Sequence, residues 1–325
     1  MTPTISKAIE AYLESVGYAR SPNTARTYRN AMTAFRATLA DHGLPTTSSN
    51  ISDLSEDAIS WFASDMKAFS PATERLYLTA VTGFYEYLVA ERLADLNLPR
   101  LRLLIRQRSR RPGLRLPQFP REDIEEILEY ANKLDYTKSN NEHDILRDLR
   151  DRAFLLTLAD TGLRVHEACK LCRGDIDWNE NKAIITGKGN RQAVVRFSMR
   201  SITALRDYLT VRSKLDGSSG RPLTSLPLFA RHDRGAGKKV KLITTRTGQN
   251  IVAKRVGEAL GEHAVGTITP HSFRHYFVTT VLRGSGGNLK LAQELARHKN
   301  IQVTQRYAHL SDDELDRGYW DIFNG

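Results

Sequence analysis

Six side chains in four short stretches are of types that together can break and remake a phosphodiester. Arg164 stands in TGLRVHEACKL, after a glycine-containing turn and at the start of a helix. Lys188 stands in GKGNRQAVV, at the tip between two β-patterned runs. His271 and Arg274 stand three apart in TPHSFRHYFVTTV, which puts both on one helix face beside an apolar stripe of Phe273, Phe277 and Val281. His298 and Tyr307 stand nine apart in HKNIQVTQRYAHL, a stretch too polar for a core helix.

Two guanidinium groups can each fork onto the non-bridging oxygens of a phosphodiester and stabilise the added charge of a five-coordinate transition state. A tyrosine, with an ordinary pKa of about 10, becomes a nucleophile when a base or a cationic surround favours its phenolate. A lysine on a hairpin can protonate a departing alkoxide. The set contains no carboxylate cluster, which argues against a two-metal nuclease. Taken singly, each stretch has a plainer reading. The His–Arg pair can be a hydrogen-bonded surface feature, GKGN only a turn, Arg164 a cap, and Tyr307 a rim residue.

The elements that must position these residues fall into two groups. Residues 5–95 read as helical. Ile9, Tyr12, Leu13 and Val16 keep the helical period in the first helix, and Tyr28, Met32, Phe35 and Leu39 in the second, which Gly43 ends. A third helix runs from Ser55 through Ile59, Phe62 and Met66, and a fourth opens with Ser70 as N-cap and Pro71 at its first position. Residues 1–98 thus form a small four-helix domain. Residues 99–120 hold seven arginines, four prolines and no acid, and read as an extended basic linker that runs along a phosphate backbone.

Residues 121–325 form a second domain. Helices are predicted in REDIEEILEYANKL, LRDLRDRAFLLTLADTG and SITALRDYLTVRSKL, strands in KAIITGK and RQAVVRFS, and a second hairpin near Leu228 to Thr245. The fold class is mainly α with small β-hairpins (α+β). Forty-eight Lys and Arg against 37 Asp and Glu leave a net charge of +11, which suits a polyanionic partner. No run approaches the roughly 20 apolar residues of a membrane span. The first residues lack the basic-then-apolar pattern of a signal peptide, and two cysteines build no disulfide framework, so the cytoplasm is the expected compartment.

The order of the boxes (Arg, Lys in a hairpin, H-x-x-R, then His nine residues before Tyr) resembles the tyrosine recombinases, the phage-integrase and Xer-like family, along nearly the whole chain. TGLRVHEACKL is similar to the family's first-arginine box, with Glu167 three after Arg164, and HSFRHYFVTTV includes the following His275. The N-terminal domain looks like the family's core-binding, SAM-like domain, with SPNTARTYR and SPATERLYL as its S-x-x-T-led helices. The resemblance implies a tyrosine-recombinase catalytic domain and these roles. Arg164 and Arg274 clamp the scissile phosphate, His271 assists proton transfer at Tyr307, and His298 hydrogen-bonds the phosphate. Lys188 protonates the 5′-oxygen, Glu167 orients the arginines, and Tyr307 attacks to give a 3′-phosphotyrosine. No metal, ATP or other cofactor is needed. The implied partners are double-stranded DNA and further copies of the chain, a tetramer in the synapse, with Arg26, Arg29, Arg75, Arg106, Arg108, Arg110 and Arg111 on the DNA.

Two features depart from the resembled pattern. Ala296-Arg297 stands where the family commonly has Leu-Gly, and residues 214–247 replace a short connection. His166, Cys169 and Cys172 form H-x-x-C-x-x-C on one predicted helix, with no second cysteine pair to complete a zinc site. After a Ser311–Glu314 capping box, Leu315, Tyr319, Ile322 and Phe323 form a stripe that packs on its own domain or on a neighbouring protomer. A topoisomerase or telomere-type resolvase shares the chemistry, and a catalytically silent DNA-binding protein is the alternative of another class.

Overall fold

A computed structural model describes residues 3–110, 121–134, 141–186, 192–233, 235, 239–305, 307 and 320. The chain divides into two compact units, Met1–Arg115 and Leu116–Gly325. Among the described residues no helix is long and apolar enough to cross a membrane.

The first unit contains α1 (Ile5–Ala19), α2 (Pro22–Asp41), α3 (Ala58–Asp65), α4 (Pro71–Ala90) and α5 (Leu98–Arg108). The Ser-Pro-x-Thr signals start α2 and α4 in the same way: Ser21 accepts the Thr24 N–H at 3.3 Å and Ser70 the Thr73 N–H at 3.2 Å. Each proline sits where a helix has no backbone donor to lose. The apolar periods converge on Phe35, Phe62, Phe84 and Tyr85, with Phe35 and Phe62 edge to face at 5.3 Å.

The linker expectation is corrected over residues 98–108, which are helical. Pro99 falls in the first turn, the Asn97 side chain accepts the Arg100 N–H at 2.9 Å, and Leu101 is fully buried in this unit's core. Arg100 pairs with Glu56 and Asp57, and Arg102 with Glu86. A proline at the start of a helix does not break it, so the proline count misled. Arg111 and the rest of the expected linker to residue 120 lie outside the described residues.

The second unit contains α6 (Arg121–Asn132), α7 (Glu142–Thr161), α8 (Val165–Ala168), α9 (Met199–Gly217), α10 (Thr245–Leu260), α11 (Pro270–Gly284), α12 (Leu289–Ala296) and α13 (Ile301–Gln305). A three-stranded antiparallel sheet is formed by β1 (Ile176–Asp177), β2 (Lys182–Thr186) and β3 (Gln192–Arg196), in that order. Ile184 faces Val194 and Ile185 faces Ala193 in its register. Helix α7 is the axis of the unit, burying Phe154, Leu155 and Leu158 among α6, α9 and α11. Buried ion pairs cross this core: Arg255 joins Asp151 at 2.7 Å, and Arg212 joins Asp216 at 2.9 Å while donating to the Pro227 and Leu228 carbonyls.

Three expectations change here. Among the described residues the second hairpin is represented by an antiparallel bridge between Ala230 and Leu242, and Thr244 then caps α10. The described residues of the 214–247 segment finish α9 and lead into α10. The zinc-like triple is not on one helix, since α8 ends at Ala168 and Cys172 is extended. Phe273 joins the main core, whereas Phe277 and Val281 are only partly buried around Val278 and Leu282, so the stripe on α11 faces two clusters. The terminal stripe that follows Ser311 lies outside the described residues.

Candidate active site

The first arginine is set by a tight turn. Helix α7 ends at Gly162, whose φ of +58° suits glycine, and a Cβ there would stand 2.3 Å from Phe277 of α11. The chain then extends through buried Leu163 to Arg164, the N-cap of α8. Glu167 lies in the first turn of α8. Its Oε2 accepts the Arg164 N–H at 2.9 Å, and its Oε1 pairs with the Arg164 guanidinium at 3.0 Å. Glu167 is almost fully buried while Arg164 remains half exposed. Burial pushes the Glu167 carboxyl up, but the Arg164 N–H and the charges of Arg297 and Arg164 outweigh it and hold the group ionised.

Arg274 enters from the first turns of α11 and is 2% exposed. One terminal nitrogen donates to the Gly162 carbonyl and the other to the Ala296 carbonyl at the end of α12. Desolvation, with the charges of Arg164 and Arg297, lowers its pKa to about 10. The guanidinium stays cationic at neutral pH and is held by two segments distant in sequence.

The histidines surround Tyr307. His271 and His275, one turn apart on α11, have ring centroids 4.4 Å apart. His275 meets Tyr307 at 4.9 Å, and His298 lies nearly parallel to the Tyr307 ring at 6.4 Å. Nδ1 of His298 is 2.9 Å from the hydroxyl oxygen of fully buried Thr304, whose carbonyl accepts the Tyr307 N–H at 3.0 Å. Burial first, then the neighbouring cations, lowers His298 to about 4; burial, His271 and Arg274 lower His275 to about 4. Both imidazoles are therefore neutral at pH 7 and able to accept a proton.

Five of the six sequence candidates, Arg164, His271, Arg274, His298 and Tyr307, thus fall within one cluster, together with Glu167. Lys188 lies outside the described residues, in the connection between the paired strands β2 and β3. Sequence reasoning gave no role to three further residues. His275 stands between His271 and Tyr307, and its i+4 spacing from His271 was the available signal. Thr304 anchors His298. Arg297 has a left-handed backbone (φ +58°), which costs a non-glycine residue about 1–2 kcal/mol. Its guanidinium turns inward to pair with Glu167 at 3.2 Å and to donate to the Gly162 carbonyl at 3.3 Å.

Of the arginines expected on DNA, Arg26, Arg29, Arg75, Arg106 and Arg108 are exposed. Arg110 is committed otherwise. Its backbone N–H and side-chain Nε both bond Glu74, a carboxylate only 1% exposed, and it also caps the Phe69 carbonyl. It thereby has a structural part, because a buried carboxylate needs such a partner.

The sequence matches the Phage integrase family over residues 118–314 and the Phage integrase, N-terminal SAM-like domain over residues 9–92. It is 29% identical to tyrosine recombinase XerD of Mycobacterium leprae across 98% of this chain and 97% of that one. Tyrosine recombinase XerC of Alcanivorax borkumensis is 31% identical across 77% and 73%. Among solved structures, the XerH site-specific recombinase bound to palindromic difH substrate, a post-cleavage complex, shares the fold with a TM-score of 0.67 at 18% identity, over 91% of this chain and 79% of that one. A lambda integrase dimer bound to a COC′ core site gives 0.62 at 15% identity, over 94% and 96%.

Proposed function

The chain belongs to the phage integrase family and is a site-specific DNA recombinase; we propose that Tyr307 is the nucleophile with which it cuts and rejoins DNA. What supports this reading is the placement of the Tyr307 ring against two neutral imidazoles, next to the buried cation Arg274. The phenol oxygen attacks the scissile phosphorus, and its proton passes to the histidine cluster. His271 is the base named by the resemblance, and His275 is the imidazole in contact with the ring. The bond from phosphorus to the 5′-oxygen breaks, Lys188 supplies that oxygen with a proton, and a 3′-phosphotyrosine remains. Attack by a 5′-hydroxyl reverses the step and joins a strand. One phosphodiester replaces another, so the reaction needs no ATP.

Arg164 and Arg274 hold the non-bridging oxygens in this scheme, and His298 adds a hydrogen bond. Charge on the transition state is met by cations fixed in advance, which avoids reorganisation when the reaction occurs. The N-terminal unit presents Arg26, Arg29 and Arg75 to the DNA backbone. Recombination between two sites calls for several copies on DNA, a tetramer in the synapse, and the cytoplasm is its place of action. The relatives are recombinases, which disfavours the topoisomerase reading.

The test uses a duplex selected from a random-sequence pool by its binding to the chain, then nicked in turn at each phosphodiester. A nick beside the cleavage point lets the short 5′-hydroxyl strand diffuse away and traps the covalent adduct. Mass spectrometry is expected to place that adduct on Tyr307, in EDTA as in magnesium. An adduct on another residue, or a requirement for magnesium, overturns the assignment.

A further inference from the structure

We infer that Arg297 is a positioning residue for strand cleavage: it holds Glu167 and the Gly162 turn in place, and with them Arg164 and Arg274. The inference rests on the strand-transfer reading above and adds a residue to it. Arg297 ends α12 in a left-handed conformation that glycine takes freely and arginine resists. A side chain at such a position must gain enough elsewhere to hold the backbone there.

What it gains is contact with two other segments. One terminal nitrogen of Arg297 reaches both Glu167 Oε2, at 3.2 Å, and the Gly162 carbonyl, at 3.3 Å. The same Oε2 accepts the Arg164 N–H, and the same carbonyl receives Arg274. Glu167 is thereby pulled by two guanidiniums, one from its own turn and one from the end of α12. The next residue in the chain is His298, so the tie fixes the backbone that carries this imidazole as well. Nε and the other terminal nitrogen of Arg297 are buried without a hydrogen-bond partner among the described residues.

This geometry carries a second consequence. Burial first, then Arg274 of α11, Arg164 at the start of α8, His271 and last Arg297 disfavour protonation of His298, which has Tyr307 beside it. Arg297 contributes to this field as well as to the geometry. Loss of its charge lets His298 protonate at higher pH, and the acid limb of cleavage rises with it, because a cationic His298 beside Tyr307 no longer helps the histidine cluster take up the phenol proton.

The experiment measures single-turnover adduct formation on the nicked duplexes at saturating protein, from pH 5 to 8, for Arg297→Gly, Arg297→Lys and wild type. Arg297→Gly relieves the backbone and is expected to remain folded by circular dichroism. Its cleavage should be slower by on the order of 10²-fold, the scale of a displaced catalytic group, with its acid limb shifted upward and DNA affinity little changed. Arg297→Lys keeps the charge and loses the fork. It should keep the acid limb of wild type, cleave more slowly than wild type, and decide the matter if the glycine variant does not fold. A wild-type rate and pH profile in either folded variant overturns the inference. An adduct missing from the wild-type protein counts against the nucleophile reading instead, so the two failures are told apart.

Discussion

The imidazole of His275 meets the ring of Tyr307 edge to face, with 4.9 Å between centroids and 80° between planes. His271 also meets this imidazole, with ring centroids 4.4 Å apart. Replacing Tyr307 with Phe retains the ring and that packing while removing the attacking oxygen. Thermal stability and DNA affinity should stay near wild type, while the covalent adduct disappears. Cleavage by Tyr307→Phe on the nicked duplexes would refute the role.

Arg274→Ala should behave differently from Tyr307→Phe. Its loss leaves the Ala296 carbonyl without its side-chain donor and the Gly162 carbonyl with Arg297 alone, at a cost of about 1–3 kcal/mol for the group left unpaired where it stays buried. It also removes a transition-state cation, for which a fall of about 10²–10³ in rate is expected. Urea titration and single-turnover cleavage on the same preparation separate the two effects. Undiminished cleavage by the folded variant would contradict the clamp.

Stability of the catalytic unit should decline in mild acid. His275 and His298 are held at about 4, and His232, buried in the same unit with its Nε2 2.7 Å from the Tyr208 hydroxyl, at about 3, against an ordinary value of 6.5. Each folded-state pKa lies below the unfolded one, so the unfolded chain binds more protons between the two. The contribution is complete above pH 6.5 and is lost as pH falls through 6.5 toward 4. Urea midpoints at pH 7.5, 6.5, 5.5 and 4.5 should stay level between the first two and then drop. A midpoint independent of pH below 6.5 would contradict the burial of these imidazoles.

The arginines near the end of α5 should divide by function. Arg106→Ala with Arg108→Ala should leave stability almost unchanged and flatten the salt dependence of DNA binding. Each lost phosphate contact removes about 0.9 from the log–log slope. Arg110→Ala should instead destabilise the N-terminal unit by about 1–3 kcal/mol, a range reduced for the partial exposure of Arg110, because Glu74 stays buried without its cation. A salt slope changed by Arg110→Ala alone would reverse this division.

Local signals in the sequence were legible because they act locally. The Ser21 and Ser70 caps, the glycine turn before Arg164 and the alternation in β2 each depend on a few neighbouring residues. What escaped depends on partners far along the chain. No property of residues 98–110 alone reveals that Glu56, Asp57, Glu74 and Glu86 await their arginines, so a basic helix looked like a strap. At Arg297 the local rule favoured glycine, and distant Glu167 and Gly162 supplied the contacts that let arginine stand there. The candidate side chains could be picked out by type and spacing, whereas the ties between them required the fold.

The two carbonyl bonds of Arg274 also bear on how the protein reaches its working state. The partner at Gly162 is 112 residues earlier in the chain. Contacts of such long sequence separation close loops at an entropic cost and tend to form late in folding. Helix α7 can collapse with its neighbours well before α12 and α13 bring His298 and Tyr307 to the turn. A half-folded chain therefore holds its basic surfaces before Arg274 ties the Gly162 turn to the end of α12. On the reading of Tyr307 as the nucleophile, strand scission then waits for the tertiary structure to be complete.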